Sequence, residues 1–259
     1  MTDDSAMAFD PRTYVAAPNL LDGRVILVTG AGNGIGRAAA LTYAAHGATV
    51  ILSGRVVSKL ERVSDEIVAN GSPQPSIAPL NLARAEASDY FALRDQVQEH
   101  FGRLDGLLHN AGILGDRTPL EHYDMGTWAE VMHVNVTAAL ALTQVLMPLL
   151  NASGNASVIF TSSGVGRVGR AFWGAYAVSK FATEGMMQVL ADETSGAGRI
   201  RVNCINPGGT RTGMRASAYP AEDPLTVPEP ADIMAAYLFL MGPDSAGITG
   251  ASLDAQIKN

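Results

Sequence analysis

The sequence predicts an α/β fold in which parallel strands form an open, doubly wound sheet with helices on both faces. Two observations favour this class. Apolar runs rich in β-branched residues alternate with helix-length segments along most of the 259 residues. The first run, residues 24–29, is followed by a glycine-rich turn and an alanine-rich segment at 37–41. Strand, turn and helix in this order begin a βαβ unit, whose parallel strands need a crossover helix.

Five further strands are expected after this unit, with helices between them: 49–53, 76–80, 105–109, 157–161 and 200–205. Crossover connections are right-handed almost without exception, so helices should cover both faces and give a three-layer αβα sandwich. Ligands of such sheets bind beyond the carboxyl ends of the strands. Most of the candidate site residues below follow a predicted strand end, so we expect them to share one cleft.

The length suits either one large α/β domain or two small ones, and the composition favours a packed core with a small-molecule partner. The chain is 47% hydrophobic and 17% charged, which is ample for a core. Its formal net charge is −7 and it has no Lys/Arg-rich run, which argues against nucleic acid or an anionic membrane as a partner. The apolar stretch 134–150 is interrupted by polar residues and short for a bilayer span, so it is interpreted as a buried or interface helix.

Cysteine usage and the first residues favour a cytoplasmic protein. The one cysteine, Cys204, cannot form an internal disulfide, and its strand-like surroundings predict a small buried hydrophobe. The start Met1-Thr2-Asp3-Asp4 has neither the basic residues nor the apolar run of a signal peptide.

The glycine-rich turn has the properties of a phosphate-binding loop. Missing side chains let the backbone approach a pyrophosphate closely, and the following helix offers free N–H groups and a partial positive charge. The spacing is Thr-Gly-x-x-x-Gly-x-Gly, which differs from the dinucleotide fingerprint Gly-x-Gly-x-x-Gly. The cofactor-binding residues predicted here are Gly30, Gly32, Asn33, Gly34, Ile35 and Gly36. The alternative is a turn without a ligand.

The end of the second strand predicts the choice of cofactor. Dinucleotide folds often carry an acidic residue there, which binds the ribose 2′-hydroxyl of NAD and would repel a 2′-phosphate. This chain has Gly54 at that position and then Arg55, whose planar fork of donors suits a phosphate. We therefore expect NADP(H) to be favoured over NAD(H), unless Arg55 is an ordinary surface residue. Arg37 either adds positive charge near the turn or is a solvated helix residue.

Two residues on a later helix predict proton-transfer chemistry. Tyr176 and Lys180 are four positions apart, so the phenol and the ammonium share a helix face. Ser163 lies thirteen positions before Tyr176, at the end of a predicted strand. The pair alone is a weak signal, because so short a motif also arises by chance. Its weight comes from the neighbouring motifs.

Together with Asn110-Ala111-Gly112, Asn135 and Asn206-Pro207-Gly208, these residues resemble the short-chain dehydrogenase/reductase family over about residues 21–254. Residues 104–115, 173–193 and 202–218 further resemble its YciK-like subgroup of bacterial oxidoreductases. The resemblance implies a Rossmann-type domain at 21–259 after an N-terminal extension at 1–20. It also implies that the Pro-rich segment 214–230, which on composition alone could be a linker, is a substrate lid.

The resemblance implies roles for individual residues. Ser163 would orient the substrate oxygen, with Ser162 as its neighbour and competitor. Asn135 would hold a water that links Lys180 to solvent, unless it serves in capping or packing. The remaining cofactor contacts implied are Asn81, Leu82, Asn110, Ala111, Gly112, Tyr176, Lys180, Pro207, Gly208, Thr210 and Thr212. On its own, Pro207-Gly208 is equally typical of an ordinary turn.

Hydride chemistry belongs to a nicotinamide, so the protein must manage one proton. A phenol with a pKa near 10 is a poor base at neutral pH, and lowering that pKa by about three units takes about 4 kcal/mol. One cation shifts an acid by about 1–3 units while burial opposes it, so Lys180 needs help from the oxidised nicotinamide and hydrogen bonds. Tyr176 is thus the predicted general acid in reduction and general base in oxidation.

The predicted function is an NADP(H)-dependent oxidoreductase that interconverts a carbonyl and a secondary alcohol. The alternatives are a non-catalytic dinucleotide sensor or scaffold and a sugar-nucleotide epimerase or dehydratase. No serine-hydrolase elbow or ligand-spaced histidine cluster is found, so no metal is predicted, and His109 is expected to be a satisfied buried imidazole. Whether the substrate is anionic stays open, because four arginines could approach the cleft: Arg167, Arg170, Arg211 and Arg215. The helices at 131–150 and 181–190 are apolar around more than one face, and the resemblance implies a homodimer or homotetramer packed through them.

Overall fold

The computed structural model describes residues 10–257, so residues 1–9 of the predicted N-terminal extension lie outside the described residues. Seven parallel strands form one sheet in the order β3-β2-β1-β4-β5-β6-β7. The strands are β1 (Val25–Thr29), β2 (Thr49–Gly54), β3 (Ser76–Pro79), β4 (Gly106–His109), β5 (Ala156–Thr161), β6 (Ile200–Asn206) and β7 (Ser252–Asp254). The predicted doubly wound α/β class is confirmed. The seventh strand was not predicted, because three residues are too few to show a period.

Helices cover both faces of the sheet. The helices are α1 (Gly34–Ala45), α2 (Val57–Ala69), α3 (Ala87–Phe101), α4 (Met125–Met132), α5 (Ala138–Ser153), α6 (Gly174–Ser195), α7 (Gly213–Ala218) and α8 (Met234–Met241). One hydrophobic cluster joins the sheet to α1, α2 and α8. A second joins its other face to α3, α5 and α6. The molecule is therefore a Rossmann-type three-layer sandwich.

The strands divide their side chains between these two cores. Along β1, Ile26 and Val28 pack into the first cluster, whereas Val25 and Leu27 pack into the second. This alternation follows from the two-residue period of a strand. Because each face of the sheet is covered, β1 is apolar without interruption until Thr29, whose side chain is used at the site.

The helical segment Met125–Ser153 is long and apolar enough to cross a bilayer by length and composition alone. Its α5 portion packs Leu142, Leu146 and Leu149 into the second core cluster, as expected for a buried helix. Between α4 and α5 the backbone forms one π-helical turn, His133–Thr137. Such turns widen a helix locally and occur frequently at functional sites. This turn carries Asn135.

The segment 214–230 folds over the carboxyl end of the sheet as short pieces. It contains most of α7 and a 3₁₀ turn at Pro224–Thr226, and another 3₁₀ turn begins at Pro230. Pro224 and Pro230 each lie at the start of a turn. The backbone N–H that proline lacks would have no hydrogen-bond partner within the turn at that position. The segment thus forms neither a long helix nor a strand.

Candidate active site

A cleft of about 550 Å³ opens where the strand order reverses, between the carboxyl ends of β1 and β4. This is the position at which doubly wound sheets bind ligands. Of the residues predicted from the sequence, the lining includes Gly30, Gly32, Asn33, Gly34, Ile35, Arg55, Asn81, Leu82, Asn110, Ala111, Gly112, Ser163, Tyr176, Lys180, Pro207, Gly208, Thr210 and Thr212. The other two, Gly36 and Asn135, lie outside the lining and support it.

The glycine turn is held against the end of β4. A Cβ on Gly36 would lie 2.3 Å from the Gly30 carbonyl oxygen and 2.5 Å from Asn110 Nδ2, so only glycine fits there. Asn110 Nδ2 donates to the Thr29 carbonyl at 3.2 Å. The Thr29 hydroxyl in turn accepts the backbone N–H groups of Asn110 and Ala111. Two predicted elements, the turn and Asn110-Ala111, therefore form one rigid corner.

The start of α1 suits an anion. Asn33 is its N-cap residue, but its side chain makes no capping hydrogen bond, so the N–H groups of the first turn have no side-chain acceptor. The unpaired N–H groups and the positive end of the helix face the cleft, where a pyrophosphate would sit. The residues therefore fit a dinucleotide.

The adenosine end of the cleft carries two cations. Arg55 and Lys59 both line it, are exposed, and form no ion pair among the described residues. By contrast, Arg37 Nη2 is 2.7 Å from Glu66 Oε1, so its charge is compensated. Lys59 was not predicted. A sequence signal existed, since only three lysines occur and this one lies in the first turn of α2, four residues after Arg55.

Tyr176 and Lys180 meet in the cleft as their spacing predicted. Lys180 Nζ lies 5.5 Å from the centroid of the Tyr176 ring and donates to the Thr161 carbonyl at 2.7 Å. Both side chains are buried, with exposed fractions of 8% for Tyr176 and 5% for Lys180. Burial raises the pKa of Tyr176 to about 12, although a hydrogen bond with Ser163 opposes the rise. Burial also lowers the pKa of Lys180 to about 8.

These directions bear on the expectation for the phenol. In the protein alone, burial outweighs the hydrogen bond with Ser163, so Tyr176 holds its proton at neutral pH and is an acid. Acting as a base would require a further positive charge in the cleft.

The two serines after β5 have different partners. Ser163 caps the 3₁₀ turn Gly164–Gly166 and is half-buried beside Tyr176. Ser162 is 1% exposed and donates to Glu184 Oε1 at 2.5 Å. Ser163 is therefore the serine that hydrogen-bonds Tyr176, and its role towards a substrate oxygen stays a prediction.

Asn135 ties the catalytic helix to the loop after β4. Its Oδ1 accepts the Ile113 N–H at 2.9 Å, and its Nδ2 donates to the Ile113 carbonyl and to Ser179 Oγ, each at 3.0 Å. A Cβ on Gly112 would lie 3.2 Å from Asn135 Oδ1 and 3.8 Å from Lys180 Nζ. The side chain is thus occupied in positioning. The water-relay role stays a prediction.

The loop after β6 is held by a residue that the sequence did not reveal. Gln256 Nε2 donates to the Pro207 carbonyl at 2.7 Å, to the Gly209 carbonyl at 2.8 Å and to Thr210 Oγ1 at 3.2 Å. Gly208 has φ +69°, and a Cβ there would lie 2.9 Å from Gln256. Pro207-Gly208 is therefore a loop fixed by a residue just after β7, and no short motif signals a contact so distant in sequence.

Comparison with known proteins identifies the family. The model of the short chain dehydrogenase family matches residues 24–223. The chain is 55% identical to oxidoreductase YciK of Escherichia coli (strain K12) over 243 residues, which is 94% of this chain and 96% of that protein. The chain belongs to the short-chain dehydrogenase/reductase family. It is an oxidoreductase of the kind that acts on alcohol or carbonyl groups.

Solved structures of similar short-chain dehydrogenases agree with this assignment. One from Shigella flexneri 2a, complexed with NADP, is 55% identical with a TM-score of 0.91, covering 93% of this chain and 100% of that one. One from Escherichia coli CFT073, complexed with NADPH, is 56% identical with a TM-score of 0.91 and the same coverage. These complexes support NADP binding by this short-chain dehydrogenase.

Most of the arginines near the cleft of this short-chain dehydrogenase are compensated. Nη1 of Arg167 is 2.7 Å from Asp254, Nη1 of Arg211 is 2.8 Å from Glu229, and Nη2 of Arg215 is 2.6 Å from Glu222. Arg117, which the sequence analysis missed, lies 4.5 Å from the centroid of the Trp173 ring and 5.1 Å from that of Tyr219. The wall beside Tyr176 is therefore aromatic, and its nearby cations are largely neutralised.

Two buried residues of this short-chain dehydrogenase match the environments predicted for them. His109 Nε2 is 2.8 Å from Thr143 Oγ1, and its ring stacks on Phe160. Burial lowers the pKa of His109 to about 3, so the imidazole is neutral. Cys204 is fully buried, as expected for a small core residue.

Proposed function

We propose that the chain is an NADP(H)-dependent oxidoreductase that interconverts a carbonyl and a secondary alcohol by hydride transfer, with Tyr176 as the general acid/base. One observation carries the proposal. The phenol of Tyr176, the ammonium of Lys180 and the hydroxyl of Ser163 share a cleft with a phosphate-binding glycine turn. This arrangement can hold a dinucleotide and move one proton at the same place.

When bound, the nicotinamide supplies or accepts the hydride. In the direction of reduction, Tyr176 donates its phenolic proton to the carbonyl oxygen of the substrate. Its raised pKa keeps that proton in place at neutral pH. In the direction of oxidation, the phenolate has to be stabilised. Lys180 contributes through its positive charge, and the positive charge of the oxidised cofactor adds to it.

The other residues position the substrate and the proton path. Ser163 donates a hydrogen bond to the substrate oxygen and so orients it towards Tyr176. Lys180 uses its remaining donors on the hydroxyl groups of the nicotinamide ribose. Asn135 fixes the loop at Ile113 and holds a water that returns protons to Lys180 from solvent.

The preference for NADP(H) over NAD(H) rests on charge. Arg55 and Lys59 face the adenosine end without compensating carboxylates among the described residues, which favours a 2′-phosphate over a hydroxyl. The other cofactor contacts are as predicted above, with the glycine turn at the pyrophosphate and Asn81-Leu82 at the adenine.

The substrate is proposed to be an uncharged carbonyl compound with an apolar body. Leu114, Trp173, Met214, Ala218 and Tyr219 surround the space next to Tyr176. Three of the four arginines that left an anionic substrate open are bound to carboxylates. Apolar walls with few placed polar groups are typical of sites for such ligands.

Residues 21–259 are proposed to act as a single domain with a lid at 214–230. Thr212, two residues before the lid, lies next to the glycine turn, since a Cβ on Gly34 would lie 3.3 Å from its Cγ2. Tyr219, in the lid, packs at 5.9 Å from Trp173 between ring centroids. The lid therefore starts beside the glycine turn and reaches the substrate end of the cleft.

Self-association and a cytoplasmic location are also proposed. On α6, Val178, Phe181 and Val189 are exposed, as is Leu140 on α5, and these are the helices whose apolar faces suggested a homodimer or homotetramer. The mass in solution, measured by light scattering, tests this. The single cysteine supports a cytoplasmic location. The proposed reaction needs no metal, nucleic acid or membrane.

A panel of carbonyl compounds, followed by the loss of NADPH absorbance, tests the function. We expect turnover of neutral ring or chain ketones to exceed that of 2-oxo acids of similar size. NADH should be used less well at equal concentration. Binding of NADPH without turnover of any neutral carbonyl would favour a sensor and contradict the proposal.

A further inference from the structure

A polar network lies directly behind the site, and the mechanism above does not use it. Its centre is Glu184, one helical turn after Lys180 on α6 and 6% exposed. Glu184 Oε1 accepts hydrogen bonds from Ser162 Oγ at 2.5 Å and from Ser252 Oγ at 2.8 Å. Arg167 Nε is 3.7 Å from the same oxygen. Two hydroxyl groups and a guanidinium therefore converge on one buried carboxylate oxygen.

The network continues from Arg167 to the nicotinamide loop. Arg167 donates to Ser252 Oγ at 2.8 Å and to Asp254 Oδ1 at 2.7 Å. Asp254 Oδ1 also accepts from Asn206 Nδ2 at 2.8 Å, and Asn206 Oδ1 accepts the Gly208 N–H at 3.1 Å. One chain of contacts thus runs from Ser162, beside the catalytic serine, through α6 to the loop after β6.

Close packing leaves this network little freedom. The turn that carries Arg167 presses on the catalytic helix, because a Cβ on Gly166 would lie 2.7 Å from Lys180 Cβ and 2.9 Å from the Lys180 carbonyl oxygen. The residue before Arg167 is therefore packed directly against the backbone at Lys180. The side chain of Arg167 is 29% exposed and that of Asp254 11%.

The charges that face Lys180 point to Glu184. Burial lowers the pKa of Lys180, and Cys204 on β6 and Glu184 on α6 oppose that fall. Burial also raises the pKa of the Cys204 thiol well above its usual range, so the thiol is neutral where Lys180 titrates. From β5 the Thr161 carbonyl accepts a hydrogen bond from Lys180 Nζ, and the protonated Tyr176 lies near Lys180 on α6. Glu184 is the anion that remains, with Arg167 as its partly exposed counter-charge.

We propose that Glu184 and Arg167 are positioning residues, which lock the serine strand end, the catalytic helix and the nicotinamide loop together, and that Glu184 supplies the charge that keeps Lys180 cationic. The inference rests on the proposed role of Lys180. Its physical basis is a buried carboxylate one helical turn from a buried ammonium on the same face of α6, where the low dielectric strengthens their interaction.

The test is a titration of the lysine side chains by NMR in the full chain with ¹³Cε-labelled lysine. Only Lys59, Lys180 and Lys258 occur, so assignment needs no more than Lys59→Arg and Lys258→Arg. Glu184→Gln keeps the shape and removes the charge. We expect the midpoint of Lys180 to fall by about one pH unit or more, because an opposite charge at close range shifts a pKa by about that amount. The other two lysines should not move.

Two more variants make the result decisive. Cys204→Ala removes the neutral thiol and should leave the Lys180 midpoint in place. Arg167→Gln removes the counter-charge of Glu184 and should raise the midpoint, which is the opposite sign and tests the proposal even if Glu184→Gln does not fold. An unmoved midpoint in either charge variant, or a fall in Cys204→Ala equal to that expected for Glu184→Gln, would overturn the proposal.

Kinetics then separate positioning from plain destabilisation. With a working substrate, the alkaline limb of kcat/KM for reduction should move to lower pH in Glu184→Gln by the same amount as the Lys180 midpoint. A purely structural defect would lower kcat without moving the limb. Because the titration needs no substrate, failure of the proposed reaction appears as absent turnover in the wild type, and failure of this inference appears as a fixed Lys180 midpoint.

Discussion

At the scale of single residues, the site depends on polar groups that have been placed where burial changes their acidity. Tyr176 and Lys180 are both buried, and burial favours the neutral form of each group. It raises the pKa of Tyr176 to about 12 and lowers the pKa of Lys180 to about 8. The two groups therefore hold their protons more tightly and less tightly, respectively, than they would in water. Function then depends on which charges are brought close to them, from this chain and from the cofactor.

Cofactor choice is a property of two side chains. Removing Arg55 or Lys59 takes away one positive charge next to the expected 2′-phosphate, so Arg55→Ala and Lys59→Ala should each weaken NADPH binding by about five- to thirtyfold, measured by fluorescence titration. NADH binding should change much less. Arg62→Ala is the matched control, since Arg62 is exposed and lies on α2 like Lys59 but outside the cleft. Equal weakening of NADPH and NADH would remove both residues from the phosphate site.

At the scale of elements, the corner between β1 and α1 determines whether a dinucleotide can bind. The glycine turn passes so close to its own backbone and to Asn110 that one methyl group would open it. The same corner fixes the position of the N-terminus of α1. The direction of this helix determines whether its free N–H groups point at a bound anion.

Gly36→Ala should therefore lower both stability and affinity. Overpacking of this kind costs about 1–3 kcal/mol, and displacing the turn should weaken NADPH binding by at least about tenfold. Urea unfolding and NADPH titration measure the two effects. Gly196→Ala serves as the control, because Gly196 ends α6 with φ −63° and open space around its Cβ position. Normal NADPH affinity in Gly36→Ala would show that the turn does not contact the cofactor.

The sequence predicted local features of these elements well and long-range ones poorly. The spacing of apolar residues located six strands, and the spacing of glycines located the turn. Each of these signals is contained within a few consecutive residues. Gln256 and Glu184 could not be found in this way, since each acts on residues far away in sequence through a side chain of ordinary type. Lys59 and Arg117 were missed because a charged residue on a helix or loop is usually solvated.

At the scale of the whole molecule, seven strands bring loops from along the chain to one edge of the sheet. The parallel order makes every strand end there, so motifs separated by more than 150 residues line one cleft. Both faces of the sheet must then be covered, which leaves some polar groups buried beneath the site. His109 is one of them, stacked on Phe160 within the interior.

His109 should make the fold sensitive to acid. Its pKa is about 3 when folded, against 6.5 for the unfolded chain, so the unfolded state takes up the proton first. Stability should therefore fall as the pH drops from 6.5 towards about 3, by up to about 1.4 kcal/mol per pH unit. The free energy of unfolding of His109→Gln, measured with urea, should depend less on pH between 6.5 and about 3 than that of the wild type. The exposed His122→Gln is the control, and parallel curves for wild type and His109→Gln would refute the assignment.

The central claim is that Tyr176 donates the proton, and its most direct measurement is kcat/KM for carbonyl reduction by Tyr176→Phe with NADPH affinity measured alongside. The account predicts a fall of about 10²–10⁴-fold with affinity for NADPH near the wild-type value. Tyr219→Phe, which loses a hydroxyl from the same cleft, should stay close to wild type. A Tyr176→Phe variant that binds NADPH and turns over as fast as the wild type would contradict the account.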